Sequence, residues 1–170
     1  MGHGVAVNRV WVNILQQQLD KKKYNYRIVN ASIGGDTTLG GLNRLPKALK
    51  IHKPAIVILE LGGNDGLRGL ALNQTRNNIE QMIKIIQVND IKLLLIGMRL
   101  PPNYGPAYTA RFKKIYSDMA KKYKLEFLPF MLSGVAGIKA YVQADGIHPN
   151  AAAQAHVFTN IWNSLQPIIK

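Results

Sequence analysis

The chain has 170 residues, with 22 Lys plus Arg against 9 Asp plus Glu and a net charge of +13. A hydrophobic fraction of 47% supports a packed core and excludes a disordered polyelectrolyte. The absence of cysteine excludes disulfide scaffolds, thiolate metal sites, iron–sulfur clusters and thiol catalysis.

The length is that of one domain, expected to span residues 1–170. No apolar window is long enough to cross a membrane as a helix. As written, the start Met1-Gly2-His3-Gly4 carries no signal-peptide pattern, and the default expectation is cytoplasmic.

In chain order, Val7, Trp11, Ile14, Leu15 and Leu19 form an apolar stripe at helical spacing. Residues 27–31 (RIVNA) read as a first strand. Residues 39–52 read as a helix, with Pro46 expected in its first turn or at a break. Residues 55–61 (AIVILEL) and 92–98 (KLLLIGM) are nearly continuous Val, Ile and Leu, the pattern of parallel strands covered on both faces. Between them Ile79, Met82, Ile83 and Ile86 mark a helix. Phe112, Ile115, Tyr116, Met119 and Tyr123 mark the next, followed by a strand over 125–130 (LEFLPF). Val157, Phe158, Ile161, Trp162 and Leu165 mark the last helix. Alternating strands and helices predict a doubly wound α/β domain. Such a sheet begins with a strand, whereas this chain begins with a helix, so a strand is expected to be missing at the N-terminus.

The basic residues are scattered. Lys21-Lys22-Lys23, Lys113-Lys114 and Lys121-Lys122 read as solvated helix ends, and no nucleic-acid motif accompanies them. No metal is expected, because there is no His-x-x-x-His and no carboxylate cluster.

Sites in open α/β sheets form at the carboxyl ends of strands. Three segments there carry distinctive residues. Asn30-Ala31-Ser32-Ile33-Gly34-Gly35-Asp36-Thr37 reads by itself as a strand-to-helix turn capped by Asp36 or Thr37. Leu61-Gly62-Gly63-Asn64-Asp65-Gly66 reads equally as a turn or as a site, where the Asn64 amide offers uncharged donors to an oxyanion. In Asp145-Gly146-Ile147-His148-Pro149-Asn150, Asp145 could hold Nδ1 of His148 and make Nε2 a base, or could merely cap a turn. Asn150 is expected to cap the last helix.

These segments occur together and in order. With NASIGGDTTLGGLNRLP, VILELGGNDGLRGL, MRLPPNYGPAY and DGIHPN, the chain resembles the SGNH (GDSL) hydrolase family from Trp11 to its end. Within that family it is most similar to the acyl-CoA thioesterase I / lysophospholipase L1 / arylesterase group. The resemblance implies a flavodoxin-like three-layer α/β/α sandwich with a five-stranded parallel sheet. It implies a two-step acyl transfer without a cofactor. It assigns the orienting acid to Asp145, the general base to His148, and oxyanion donors to Gly35 and Asn64. It places the substrate loop at Asp65, Leu67 and Arg68, and the acyl groove at Arg99, Leu100 and Pro101. The implied substrates are small acyl esters or thioesters or lysophospholipids, and relatives of this group are commonly periplasmic or secreted. The residues leave the oligomeric state open.

The family's first block, a strand followed by Gly-Asp-Ser, has no counterpart here. The four serines are Ser32, Ser117, Ser133 and Ser164, and none follows Gly-Asp. Gly2-His3-Gly4 aligns just after that block. The expectation is therefore an N-terminally truncated sheet without its first, central strand, and a chain inactive for want of its nucleophile. A late start site or a fragment explains this most simply. A pseudoenzyme that binds acyl lipids or anionic surfaces is the alternative, and a partner chain supplying the strand is a third explanation. The +13 charge favours peripheral contact with anionic membranes.

Overall fold

Nearly continuous Val, Ile and Leu in 55–61 and 92–98 favour a sheet with apolar cover on each face. In the computed structural model, which describes residues 4–169, they form β1 (Ile56–Leu59) and β2 (Lys92–Ile96). β3 (Glu126–Leu128) completes a parallel sheet of order β1-β2-β3. The registers pair Ile56 with Lys92 and Leu94 with Glu126. Among the described residues the sheet has three strands. The described residues divide into two compact units, 35–130 and 4–34 with 131–169.

In the 35–130 unit the crossovers are helical. α2 (Thr38–His52) leads into β1, the one-turn α3 (Gly63–Leu67) and α4 (Leu72–Val88) connect β1 to β2, and α5 (Pro106–Tyr123) connects β2 to β3. The first helix of the chain, α1 (Trp11–Lys21), belongs to the other unit. Leu59, Leu93 and Leu95 from one sheet face meet Ile79, Met82, Ile83 and Ile86 of α4 and Phe112, Ile115, Tyr116 and Met119 of α5 in one cluster. The predicted α4 stripe is buried throughout, and in α5 only Tyr123 remains half-buried. Leu94 and Ile96, pointing the other way along β2, are also fully buried.

The other unit pairs α1 with α6 (Gln154–Leu165). Leu15 and Leu19 are buried there with Val157, Ile161, Trp162 and Leu165. Gln154 accepts from the Trp11 N–H at 3.0 Å. The expected cap is present: Asn150 Oδ1 accepts from the N–H groups of Ala152 and Ala153 and starts the turn that leads into α6. Residues 1–3, Lys170 and the Val7 side chain lie outside the described residues. The alignment of Gly2 and His3 therefore stands as a sequence expectation.

Two expectations are corrected. Residues 27–31 form no strand. An extended segment becomes a strand only when a neighbour pairs with it, and here the Gln16 side chain takes the neighbour's place. Its Nε2 donates to Tyr26 O at 3.0 Å and its Oε1 accepts from Ile28 N at 2.8 Å. That amide reproduces one rung of a ladder and cannot extend it, so Val29 is left 49% exposed. The second correction is Pro46, which lies inside a continuous α2 and not in its first turn. It removes one i→i−4 hydrogen bond at a cost of about 3 kcal/mol. Packing of α2 on α4 through Leu42, Leu45 and Leu49 outweighs that cost. Replacing Pro46 by Ala restores the donor. It is expected to raise stability by about 1–3 kcal/mol in urea unfolding; an unchanged or lower midpoint would show that the helix has adapted to the ring.

Candidate active site

The loop after residue 34 must reverse sharply to start α2, and Gly35 does so at φ 75°. Thr37 then caps α2, its side chain accepting from the Gly40 N–H at 3.3 Å. Asp36 is held by Arg44, Nε to Oδ2 at 2.8 Å, and its Oδ1 accepts from the Thr37 N–H. Among the described residues the Gly35 N–H meets no acceptor.

After β1 the chain turns at Gly62, with φ 112°. A Cβ there would stand 2.2 Å from the Tyr116 hydroxyl, so only glycine fits. That hydroxyl donates to Leu61 O at 2.9 Å, and burial pushes its pKa well above the usual tyrosine range, which keeps it a donor. The turn delivers Asn64 and Asp65 into α3. Asn64 Nδ2 donates to Asp36 O at 2.9 Å. Because a carbonyl can only accept, this bond fixes which way the amide faces. One N–H of Asn64 is committed and the second is left directed by the planar amide. Gly35 and Asn64, both expected oxyanion donors, are thus tied together through one peptide.

The three residues of the expected substrate loop differ in burial and partners. Asp65 is 2% exposed, and its carboxylate faces inward. Oδ2 accepts from the Thr38 N–H at 2.9 Å and Oδ1 from the Thr38 hydroxyl at 2.5 Å. Leu67 is half-buried against the core cluster. Arg68 is exposed and donates from Nη2 to Gly35 O at 3.0 Å, which puts a cation beside the Gly35 turn. Of the expected groove residues, Arg99 lies 5.0 Å over the Phe130 ring, Leu100 is buried in the core cluster, and Pro101 leads into the 3-10 turn Pro102–Tyr104. A cleft of about 540 Å³ lies elsewhere, at the amino ends of β1 and β2, lined by Pro46, Leu49, Pro54 and Ile91 among others. It contains none of the expected site residues.

In the other unit the loop before α6 folds back on itself. Gln143 N donates to His148 O at 2.8 Å and Asn150 N to Tyr141 O at 2.8 Å. Asp145 Oδ1 accepts from the Ile147 and His148 N–H groups at 2.9 and 3.0 Å. Its Oδ2 lies 2.7 Å from His148 Nδ1. An ionised carboxylate requires a proton on Nδ1, which makes Nε2 the basic nitrogen. The reading of Asp145 as a turn cap and the reading as the histidine's partner both hold, one through each oxygen. The two other described histidines differ from it: His52 ends α2, and His156 packs on the Tyr141 ring at 4.8 Å.

The His148 N–H, then the Ile147 N–H, then the imidazole hold the Asp145 carboxyl well below the usual carboxylate range. A depressed folded value means that Asp145 contributes stability above about pH 3.8 and loses it as pH falls through the folded value. Urea unfolding of wild type and Asp145→Asn should differ near neutral pH and converge in acid, whereas a gap that widens in acid would contradict this. Nitrogen-15 spectra should show His148 protonated on Nδ1 in wild type and a mixture of tautomers in Asp145→Ala.

The family model for the GDSL-like Lipase/Acylhydrolase family matches residues 1–156. Esterase TesA of Pseudomonas aeruginosa is 47% identical over 166 residues, 98% of this chain and 83% of the relative. Thioesterase 1/protease 1/lysophospholipase L1 of Escherichia coli K12 is 39% identical over 168 residues, 99% of this chain and 79% of the relative. The crystal structure of TesA superposes with a TM-score of 0.94 at 47% identity, covering 97% of this chain and 92% of that one. With this agreement in sequence and fold, the α/β architecture with its small parallel sheet is that of the SGNH hydrolases, and the chain belongs to the GDSL-like lipase/acylhydrolase family.

Proposed function

We propose that this chain, acting as one SGNH-type domain, supplies the base, its orienting acid and two oxyanion donors of an ester or thioester hydrolase. On this reading the nucleophilic serine comes from outside the given residues, which is supported by the lack of a Gly-Asp-Ser sequence among them. The observation that carries the reading is the commitment of Asn64: one N–H on Asp36 O, the other directed, in the same loop pair as the unpartnered Gly35 N–H. Uncharged donors fixed in advance suit a tetrahedral oxyanion, because they need no reorganisation as charge develops. The Asp145–His148 pair supplies the second requirement, a base with a defined tautomer.

With a serine hydroxyl in place, the chemistry balances in two steps. His148 Nε2 takes the hydroxyl proton as Oγ bonds to the acyl carbon. The carbon–oxygen or carbon–sulfur bond breaks, and the alcohol or thiol leaves with that proton. Water then repeats the sequence, giving its proton to His148 and releasing the acid and the serine. Gly35, Asn64 and the serine's own N–H hold the oxyanion in both steps.

The surroundings of the four serines support this reading. Ser117 and Ser164 lie within α5 and α6, Ser32 and Ser133 are exposed, and none sits at the carboxyl end of a strand. Substrates proposed from the relatives' names are thioesters, lysophospholipids and aryl esters. The +13 charge supports a second reading, an acyl-lipid-binding protein without turnover that approaches anionic surfaces.

The test is p-nitrophenyl ester hydrolysis by the chain as given and by a version joined to a strand carrying Gly-Asp-Ser. The chain as given should sit near background, since loss of a catalytic serine costs roughly a millionfold in turnover. The joined version should hydrolyse the ester, and Asn64→Ala in it should lower kcat about 10²–10³-fold. Silence of a folded joined version would reject the hydrolase reading. Salt-sensitive cosedimentation with anionic vesicles by the same silent protein would favour the binding reading.

A further inference from the structure

Asp65 is a buried carboxylate with no cationic partner among the described residues. Such a group is tolerated only when neutral donors satisfy it. Two come from Thr38, its N–H and its hydroxyl, and the Thr75 hydroxyl lies 3.5 Å from both Asp65 Oδ1 and Ala71 O and can turn its one proton to either. The Thr38 hydroxyl has one proton and gives it to Asp65, so it must accept its other bond, and it accepts from Asn78 Nδ2 at 3.0 Å. The direction Asn78 to Thr38 to Asp65 is therefore fixed. Thr38 is fully buried, Thr75 is 1% exposed and Asn78 is 7% exposed.

This chain of bonds closes a ring. Asp65 is bonded to Asn64 through the backbone and to Thr38 through its side chain. From Thr38 the backbone runs through Thr37 to Asp36, whose carbonyl accepts from Asn64 Nδ2. A ring of backbone and three hydrogen bonds leaves the Asn64 amide little freedom, and Gly35 directly precedes Asp36 in the chain.

We propose that Asp65 and Thr38 are positioning residues. Their buried bond pair locks the loop before α2 to the turn before α3, and so holds the Asn64 amide on Asp36 O. The assignment rests on the oxyanion reading of Asn64 only for its purpose, not for its geometry. It revises the expected role of Asp65 as a substrate contact, because both carboxylate oxygens are occupied inside the fold.

The test uses the full chain and reads proton exchange of the Asn64 side-chain amide by NMR. Thr38→Val removes the hydroxyl and keeps the shape. It should speed that exchange about tenfold, the loss expected for one net hydrogen bond, with the backbone amides of β2 unchanged. Thr38→Ser should return it to within about twofold of wild type, since the hydroxyl is restored. Asn78→Ala, one bond farther out, should give about a threefold rise, and decides the question where Thr38→Val does not fold. An Asn64 amide unmoved in a folded Thr38→Val, or in Asn78→Ala where Thr38→Val does not fold, overturns the proposal. An amide that moves as expected while Asn64→Ala leaves hydrolysis by the serine-joined protein intact would instead reject the oxyanion reading and leave the positioning role standing.

Discussion

One hydrogen bond, from Asn64 Nδ2 to the carbonyl of Asp36, decides what this fold presents at the carboxyl end of β1. It joins residues 28 positions apart, and it settles the orientation of an amide that would otherwise turn freely. Much of the local structure exists so that this bond can form. Gly62 reverses the chain where a side chain would strike Tyr116, and Gly35 turns the facing loop at positive φ. Arg44 and Arg68 pin that loop from its outer side, through the Asp36 carboxylate and the Gly35 carbonyl. Asp65 and Thr38 pin it from below.

The electrostatic character of the two halves differs in an instructive way. The Gly35 and Asn64 donors are neutral; of the carboxylates that follow them in sequence, Asp36 pairs with Arg44, and Asp65 is turned inward and satisfied by neutral groups. At the other segment the charge is out in the open: the Asp145–His148 pair is partly exposed, with the carboxylate satisfied by two backbone N–H groups before the imidazole reaches it. A carboxylate so satisfied stays ionised and can orient a histidine without taking its proton. The high positive charge of the chain belongs to its surface lysines and arginines, of which Arg44 and Arg68 hold the Gly35 loop.

Continuous or strictly periodic apolar sequence makes an element legible from its residues alone: β1 and β2 from their Val, Ile and Leu runs, α4, α5 and α6 from their stripes. These patterns answer to burial, which is a local property of each segment. Residues 27–31 mislead because a β-branched run makes an extended chain, while a strand also needs a partner, and Gln16 offers one rung only. Pro46 misleads because propensity is outweighed by packing on α4. The site divides the same way. Asp145 and His148 lie three residues apart, so their bond can be anticipated from spacing. The Thr38–Asp65 bond spans 27 residues, and nothing in either segment alone announces it. Asp65 is therefore expected at the substrate, and the bond that buries its carboxylate is visible only in the fold.

On the proposed reading, Asn64 serves as an oxyanion donor only to the extent that it is held. A double-mutant cycle between Thr38 and Asn64, read as kcat for ester hydrolysis in the serine-joined protein, tests this dependence most directly. If Thr38 acts through Asn64, Thr38→Val lowers kcat in the wild-type background and changes it by less than about twofold once Asn64 is Ala. Equal losses from Thr38→Val in both backgrounds would contradict that dependence, because the two residues would then be contributing independently.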